Sequence, residues 1–349
     1  MQIPPFTLER QFQEIGSDIE EAVMKVLKGG QYIGGQEIAE FEENFASLVG
    51  VNHAVGCNSG TDALILALRA LDIGKGDEVI TSSFSFFATA EAISAVGANP
   101  VLVDINPNDY LINIDLIEGE INSNTKAIMP VHLFGNAVNM KSIKVLAEKY
   151  NLKIIEDCAQ ATCTMWGNSK VGSIGDIGCF SFFPTKNLGA AGDGGAVTTS
   201  DQNIAKKVRE LAVHGSPKRY HHTQIGFNSR LDTLQAAVLN IKIKSISKWI
   251  SNRKKIANNY LDLLEKNSFI HLPKIDSENV SHSWNQFVIK LKNYNYDINN
   301  DYSELFETDV NKNNSLRNLL KLRLSEKGIN SIIYYPIPIH AQIAYKNKK

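Results

Sequence analysis

Long hydrophobic runs are missing from this chain. In 349 residues no apolar stretch approaches the roughly 20 a helix needs to cross a bilayer, so nothing in it reads as a membrane span. The first residues, Met1-Gln2-Ile3-Pro4-Pro5, carry neither a charged lead nor an apolar core of the secretory kind, and a soluble, cytoplasmic protein is expected. An excess of one charge is lacking too. Thirty-six Lys and Arg stand against 37 Asp and Glu, which removes any overall electrostatic case for nucleic acid. Cysteine is scarce: Cys57, Cys158, Cys163 and Cys179 lie in or beside strand-like segments without the C-x-x-C pairing of a zinc site, and read as reduced, small core residues. No G-x-G-x-x-G follows a strand and opens a helix, which speaks against a nicotinamide-dependent Rossmann enzyme. No internal repeat is present.

What the chain does have is a regular alternation of periodicities. Amphipathic helical stretches over Ile19 to Leu27, Ile38 to Leu48 and Ala63 to Leu71 give way to short apolar strands. The strands are expected at Glu78 to Ser82, Asn99 to Asp104, Lys126 to His132, Lys153 to Asp157, Gly178 to Phe183 and Gly195 to Thr199. Helical patterns such as Met140 to Tyr150 separate several of them, which predicts crossover units and an α/β fold with a mostly parallel central sheet. A long helical run from Ser229 to about Leu264 is expected to leave this part. Strands over Ser283 to Leu291 and Ile329 to Tyr335 and a helix over Ser315 to Lys327 then predict a smaller α+β unit, dividing the chain at 1–240 and 241–349. The polar patch Asn293 to Asn314 reads as a surface insertion.

Lys186 is the most informative residue. An aromatic strand, Phe180-Ser181-Phe182-Phe183, leads into it and the glycine-dense Gly189-Ala190-Ala191-Gly192-Asp193-Gly194-Gly195 follows, so its ammonium is expected in a crowded pocket. Desolvation lowers a lysine pKa, and a neutral amine attacks a carbonyl to form a Schiff base. Taken alone, a lysine at a strand end is ordinarily a surface residue.

Asp157 ends the apolar run Lys153-Ile154-Ile155-Glu156-Asp157, at the strand end where parallel sheets bind ligands. A carboxylate there can keep the pyridine nitrogen of pyridoxal phosphate protonated, or simply cap the next helix. Asn58-Ser59-Gly60-Thr61 opens a helical run, and the free N–H groups of Gly60 and Thr61 suit a phosphate or a plain capping role. The stretch His214 to His222 is basic. Lys218, Arg219 and Arg230 can pair with a diphosphate, or the loop is only a solvated basic surface. The adjacent His221 and His222 point in opposite directions along an extended chain with no carboxylate at ligand spacing, so no metal is expected.

These pieces, in this order, resemble the DegT/DnrJ/EryC1/StrS family of fold-type I pyridoxal-phosphate enzymes, which aminate nucleotide-linked keto-sugars. The resemblance runs from Gly29-Gly30-Gln31-Tyr32-Ile33-Gly34-Gly35 to Tyr335-Pro336-Ile337-Pro338-Ile339-His340. It implies that Lys186 is the Schiff-base lysine and catalytic base, Asp157 the partner of the pyridine nitrogen, and Gln160 the contact to the cofactor hydroxyl. It also implies Phe86 stacked on the cofactor ring, Ser181 beside Gly60 and Thr61 on the phosphate, and Asn228 reaching the neighbouring subunit's cofactor in a homodimer with shared sites. Lys218, Arg219, Tyr220, His222, Arg230 and His340 would meet the substrate.

The same resemblance implies L-glutamate as amino donor, pyridoxamine phosphate as the intermediate carrier, and a dTDP- or UDP-linked keto-hexose as acceptor. The Gly189 to Gly195 loop is similar to members that work at carbon 3, whereas many carbon-4 enzymes carry a threonine and a glutamate there. A related dehydratase has histidine in place of Lys186, and a non-enzymatic regulator on the same fold would not need the intact Lys186, Asp157 and Gln160. Relatives continue past Gln342, so the last unit is expected to be cut short and loosened.

Overall fold

The computed structural model describes residues 2–276, 278–292 and 316–346; the Asn293 to Asn314 patch lies outside the described residues. Two helices open the chain, α1 (Glu9–Gly29) and α2 (Gln36–Val49). Each stops at a glycine in left-handed backbone, Gly30 at φ 71 and Gly50 at φ 89, whose N–H returns to a carbonyl four residues back.

The alternation then runs as the sequence predicts, with one strand of the main sheet unforeseen, the first: β1 (His53–Cys57), α3 (Gly60–Ala70), β2 (Glu78–Ser82), α4 (Ala88–Ala95) and β3 (Asn99–Val103). It continues through the short α5 (Ile114–Ile117), β4 (Thr125–Met129), α6 (Met140–Tyr150) and β5 (Lys153–Asp157). After the two-residue strands β6 (Met165–Trp166) and β7 (Ser169–Lys170) come β8 (Ile177–Ser181), β9 (Gly195–Thr199) and α7 (Gln202–Leu211). The strand β1 has little propensity of its own, being His-Ala-Val-Gly-Cys. Gly56 sits where a Cβ would come within 3.0 Å of Leu231, so close packing sets its composition.

Seven strands form one sheet in the order β1-β9-β8-β5-β4-β2-β3. All neighbouring pairs are parallel except the two made by β9, which runs antiparallel to both β1 and β8. Register decides what meets at the strand ends. Gly195 pairs with Cys57 on one side and Ser181 on the other, and Asp157 pairs with Cys179. The end of β1, the end of β8 and the start of α3 are thereby brought to one edge.

Both faces of the sheet are covered, which is why β8 and β9 are buried along their whole length. On one face Leu64, Leu66 and Leu68 of α3 meet Val208 and Leu211 of α7. On the other, Phe41 and Phe45 of α2 pack on Phe180 of β8 and on Phe182 just past its end, two residues on and facing the same side. Phe45 meets the Phe180 and Phe182 rings edge to face, at 5.0 and 5.1 Å. Rings of this kind contribute about 1.5–3 kcal/mol each through burial, and the edge-to-face geometry adds about 1. Three cysteines are buried in these cores, Cys163 is half-buried, and all four are free.

The C-terminal part departs from the sequence reading. The run from Ser229 is two helices, α8 (Thr233–Ile243) and α9 (Ile246–Leu264), joined by a tightened turn in which Ser245 N donates to Lys242 O. No glycine or proline marks that break. Of Ser283 to Leu291 only Lys290–Leu291 pairs as a strand. Of Ile329 to Tyr335 only Ile329 bridges, to Ile3, because Tyr334 and Tyr335 dock their rings on Phe134 and Phe84 rather than pairing backbone. The expected helix is α10 (Leu316–Glu326).

Candidate active site

Asp157 ends β5 in a buried position and is braced from two sides. Thr89 Oγ1 of α4 donates to Oδ2 at 2.8 Å, and the Ala159 N–H donates to Oδ1 at 3.1 Å. Ser85 lies 2.8 Å from Thr89 Oγ1. Since the one Thr89 proton goes to the carboxylate, Ser85 is the donor in that pair, and the relay runs Ser85 to Thr89 to Asp157. Burial raises the carboxyl above its ordinary value, opposed by Thr89, by the Ala159 amide and by the charge of Lys186.

Lys186 is delivered by the turn after β8, closed by Lys186 N to Phe183 O at 2.9 Å and Ala190 N to Phe182 O at 2.7 Å. Gly189 is obligatory in this loop, because a Cβ there would lie 2.4 Å from the Pro184 carbonyl oxygen. Helix α8 clamps the other side: the buried Lys242 Nζ donates to Gly189 O at 2.7 Å, and Gln235 Oε1 accepts from Ala191 N at 2.8 Å. Desolvation lowers the Lys186 ammonium from its usual 10.5 to about 8, against the pull of the Asp157 charge. The side chain is half-buried, and its ammonium feels both desolvation and the Asp157 charge.

The start of α3 faces the end of β8. Ser59 caps the helix, its Oγ accepting from Asp62 N at 3.1 Å and its carbonyl from Ala63 N at 3.0 Å. The N–H groups of Gly60 and Thr61 have no acceptor among the described residues. A Cβ on Gly60 would sit 2.6 Å from the Ser181 Cβ, so the glycine is what allows helix and strand to close into a small polar cradle. Ser181 Oγ accepts from Phe183 N at 3.3 Å. Gln160, also buried, uses Oε1 to accept from Phe134 N at 2.8 Å and Nε2 to donate to Tyr335 Oη at 2.9 Å. Phe86 is 59% exposed, with its ring 6.3 Å from that of Tyr335, and presents a free aromatic face.

Asn228 is exposed; its neighbour Ser229 donates to Asn58 Oδ1 at 3.1 Å, which holds that segment against the start of α3. Lys218, Arg219, Tyr220 and His222 lie in an exposed loop whose contacts, among the described residues, are local. Arg219 stacks on the Tyr220 ring at 5.0 Å, and His222 Nδ1 is 2.9 Å from His214 O. Arg230 has a buried Nε without a hydrogen-bond partner among the described residues. His340 is exposed in the turn Ile339–Ala341, which Ile339 N anchors to Ser83 O at 2.9 Å.

Thr89, Ser85 and Tyr335 were not foreseen. The spacing of Ser85 and Thr89 about one helical turn apart could have suggested the first two; nothing local points to Tyr335. His132, Glu156 and Cys158 also cluster, in a geometry a metal could use. Glu156, however, already accepts from His132 Nε2 at 3.1 Å and from the amides of Gly172, Ile174 and Gly175 at 2.7–2.9 Å. His132 Nδ1 accepts from Val138 N at 3.1 Å, so the ring is the neutral tautomer with its proton on Nε2. The cluster is a buried brace under β5.

A family model for the DegT/DnrJ/EryC1/StrS aminotransferase family matches residues 13–349. A UDP-N-acetyl-3-dehydro-alpha-D-glucosamine 3-aminotransferase from Acidithiobacillus ferrooxidans is 43% identical over 340 residues, covering 97% of this chain and 85% of its own. A dTDP-3-amino-3,6-dideoxy-alpha-D-galactopyranose transaminase from Aneurinibacillus thermoaerophilus is 43% identical over 343 residues, 98% of this chain and 88% of its own. The crystal structure of DesV from Streptomyces venezuelae, in complex with a ketimine intermediate, superposes with a TM-score of 0.91 at 36% identity, covering 99% of this chain and 87% of that one. Likeness over nearly the whole length, on a mostly parallel sheet that brings a desolvated lysine toward a buried acid, makes this chain a member of the DegT/DnrJ/EryC1/StrS aminotransferase family.

Proposed function

We propose that this chain is a pyridoxal-phosphate-dependent transaminase that moves an amino group from L-glutamate to carbon 3 of a keto-hexose linked to UDP or dTDP. The observation that carries the reading is the meeting, at one sheet end, of a desolvated Lys186, a desolvated Asp157 and the uncommitted N–H groups of Gly60 and Thr61. The residues fit the cofactor on three counts. The Gly60 and Ser181 cradle offers helix N–H groups to a phosphate, the exposed Phe86 ring offers a flat apolar face, and a buried carboxylate that burial disfavours is matched by a ring N–H⁺.

Pyridoxal phosphate supplies an aldehyde for amine exchange and a protonated ring that takes up negative charge. Asp157 holds the proton on the ring nitrogen, and Thr89 with Ser85 holds Asp157. Lys186, with an ammonium near 8, provides a substantial free-amine fraction at mildly alkaline pH, and takes and returns the substrate proton. Lys242 and Gln235 keep its loop in place. The carbon-3 assignment rests on the names of the two 43%-identical relatives and on the Gly189 to Gly195 loop. Asn228, with Lys218, Arg219, Tyr220, His222, Arg230 and His340, is assigned to the sugar nucleotide and the neighbouring subunit's phosphate in a cytoplasmic homodimer.

The test is the absorbance of protein loaded with pyridoxal phosphate. A band near the visible edge should shift on adding L-glutamate and return on adding a UDP- or dTDP-3-keto-hexose, with NMR placing the new amine at carbon 3. A band that ignores glutamate, or amination only of the 4-keto isomer, overturns the respective part of the reading. Sharing of sites is tested by mixing Lys186→Ala and Asn228→Ala chains, each inactive alone. The hybrid dimer keeps one intact site, so activity should return to about a quarter of wild type; no return means that each chain completes its own site.

A further inference from the structure

The Gln160 amide, in the turn after β5, is oriented from both ends by parts of the chain distant in sequence. Its oxygen takes the N–H of Phe134, a non-glycine residue at φ 61 inside the short turn Leu133–Gly135. Left-handed backbone at a bulky residue is costly and persists only where the surroundings hold it, so this N–H is a fixed donor. The amide nitrogen gives one of its two N–H groups to Tyr335 Oη at 2.9 Å, across 175 residues of sequence. No acceptor for the other N–H exists among the described residues.

Tyr335 is itself held. Its ring meets Phe84 edge-on at 5.7 Å and Phe86 at 6.3 Å, and Tyr334 beside it packs on Phe134 at 6.2 Å. The two tyrosines thus grip both groups that touch Gln160. Further along, Ile339 N bonds Ser83 O, the Tyr345 ring packs on Phe87 at 5.4 Å, and Tyr345 Oη lies 2.9 Å from Ser94 Oγ. The C-terminal segment is therefore strapped to the loop and helix that supply Phe86 and Thr89. Burial raises the Tyr335 phenol well above its ordinary value, so it stays neutral and can accept the amide proton while keeping its own.

We propose that Tyr335 is a positioning residue of the site: its hydroxyl takes one N–H of Gln160 and leaves the other as the donor to the ring hydroxyl of the cofactor, which makes the C-terminal segment part of the cofactor pocket. The proposal rests on the pyridoxal-phosphate reading above. A hydrogen bond to that ring hydroxyl alters the electron density of the conjugated ring, so the signature is spectroscopic as well as kinetic.

The experiment compares wild type, Tyr335→Phe, Gln160→Ala and the double variant, each loaded with pyridoxal phosphate. Tyr335→Phe keeps the ring and its packing. It should shift the pH midpoint of the visible absorbance by about half a unit or more, weaken cofactor binding about three- to tenfold, and leave the melting of the cofactor-free protein nearly unchanged. In the Gln160→Ala background the same change should have no further effect. An unshifted midpoint and unchanged affinity in Tyr335→Phe, or an equal effect with and without Gln160, overturns the inference. A wild-type protein that shows no visible band overturns the pyridoxal-phosphate reading and this inference together, whereas a normal band with an unshifted Tyr335→Phe overturns this inference alone.

Discussion

Lys186 and Asp157 hold each other charged in surroundings that favour their neutral forms. Burial depresses the ammonium to about 8 and the Asp157 charge pulls it back; burial raises the carboxyl, and the Lys186 charge is one of the forces resisting that rise. A pair of this kind costs folding stability and supplies an amine that can be free near neutral pH.

Replacing Lys186 by Met should therefore abolish transamination, by about a thousandfold or more, and stabilise the cofactor-free protein by about 1–2 kcal/mol at pH 7 after allowance for solvent screening. The native value lies below the unfolded one, so between about 8 and 10.5 the unfolded chain binds the extra proton and wild-type stability climbs with pH. The advantage of the variant should shrink across that window. Urea unfolding at pH 7 and pH 9.5 checks both statements, and a variant no more stable than wild type at pH 7 would mean that Lys186 is well hydrated.

Thr89→Val keeps the shape of a fully buried side chain and removes its hydrogen bond to Asp157. Losing a bond to a buried carboxylate costs about 1.5–3 kcal/mol. The expected result is a kcat lower by about tenfold or more, with the KM for the amino donor little changed. Wild-type kcat would show that Ala159 N–H and Lys186 suffice to hold the acid.

Gly60→Ala forces a Cβ onto Ser181 and should weaken cofactor binding by more than about tenfold, since helix and strand must separate. Ser181→Gly makes room. Equilibrium binding of pyridoxal phosphate to the two single variants and the double one should be strongly non-additive, with the double variant less impaired than the product of the two; additive losses would mean that the two residues act independently.

Glu156→Gln sets an amide NH2 among four donors that now point at a carboxylate. Unfolding should become easier by about 3–5 kcal/mol, read as a lower urea midpoint with the slope unchanged. A shift under about 1 kcal/mol would show that the brace repacks.

The alternation of strand and helix, and the segments bearing Lys186, Asp157, Gln160 and Gly60, could be read from residue order because both signals are local. Side-chain periodicity follows from backbone geometry, and an acid that ends an apolar run marks a strand end. The break between α8 and α9 left no trace in the sequence, because no residue type there opposes a helix. The strand β1 and the missing pairing of Ile329 to Tyr335 were hidden for a related reason: the first is imposed by close packing against Leu231, and the second is prevented by tyrosines that find better partners across the fold.

By itself the sequence determined the fold class and named the lysine, the acid and the glycine that converge at one sheet end. Tertiary structure alone decided how they are held. Thr89 reaches Asp157 across 68 residues and Tyr335 reaches Gln160 across 175, and sheet register sets Ser181 against Gly195 and so beside the start of α3. Desolvation, register and orientation are properties of everything packed around a group, so the shifted lysine and the braced carboxylate exist only once the chain has closed on itself.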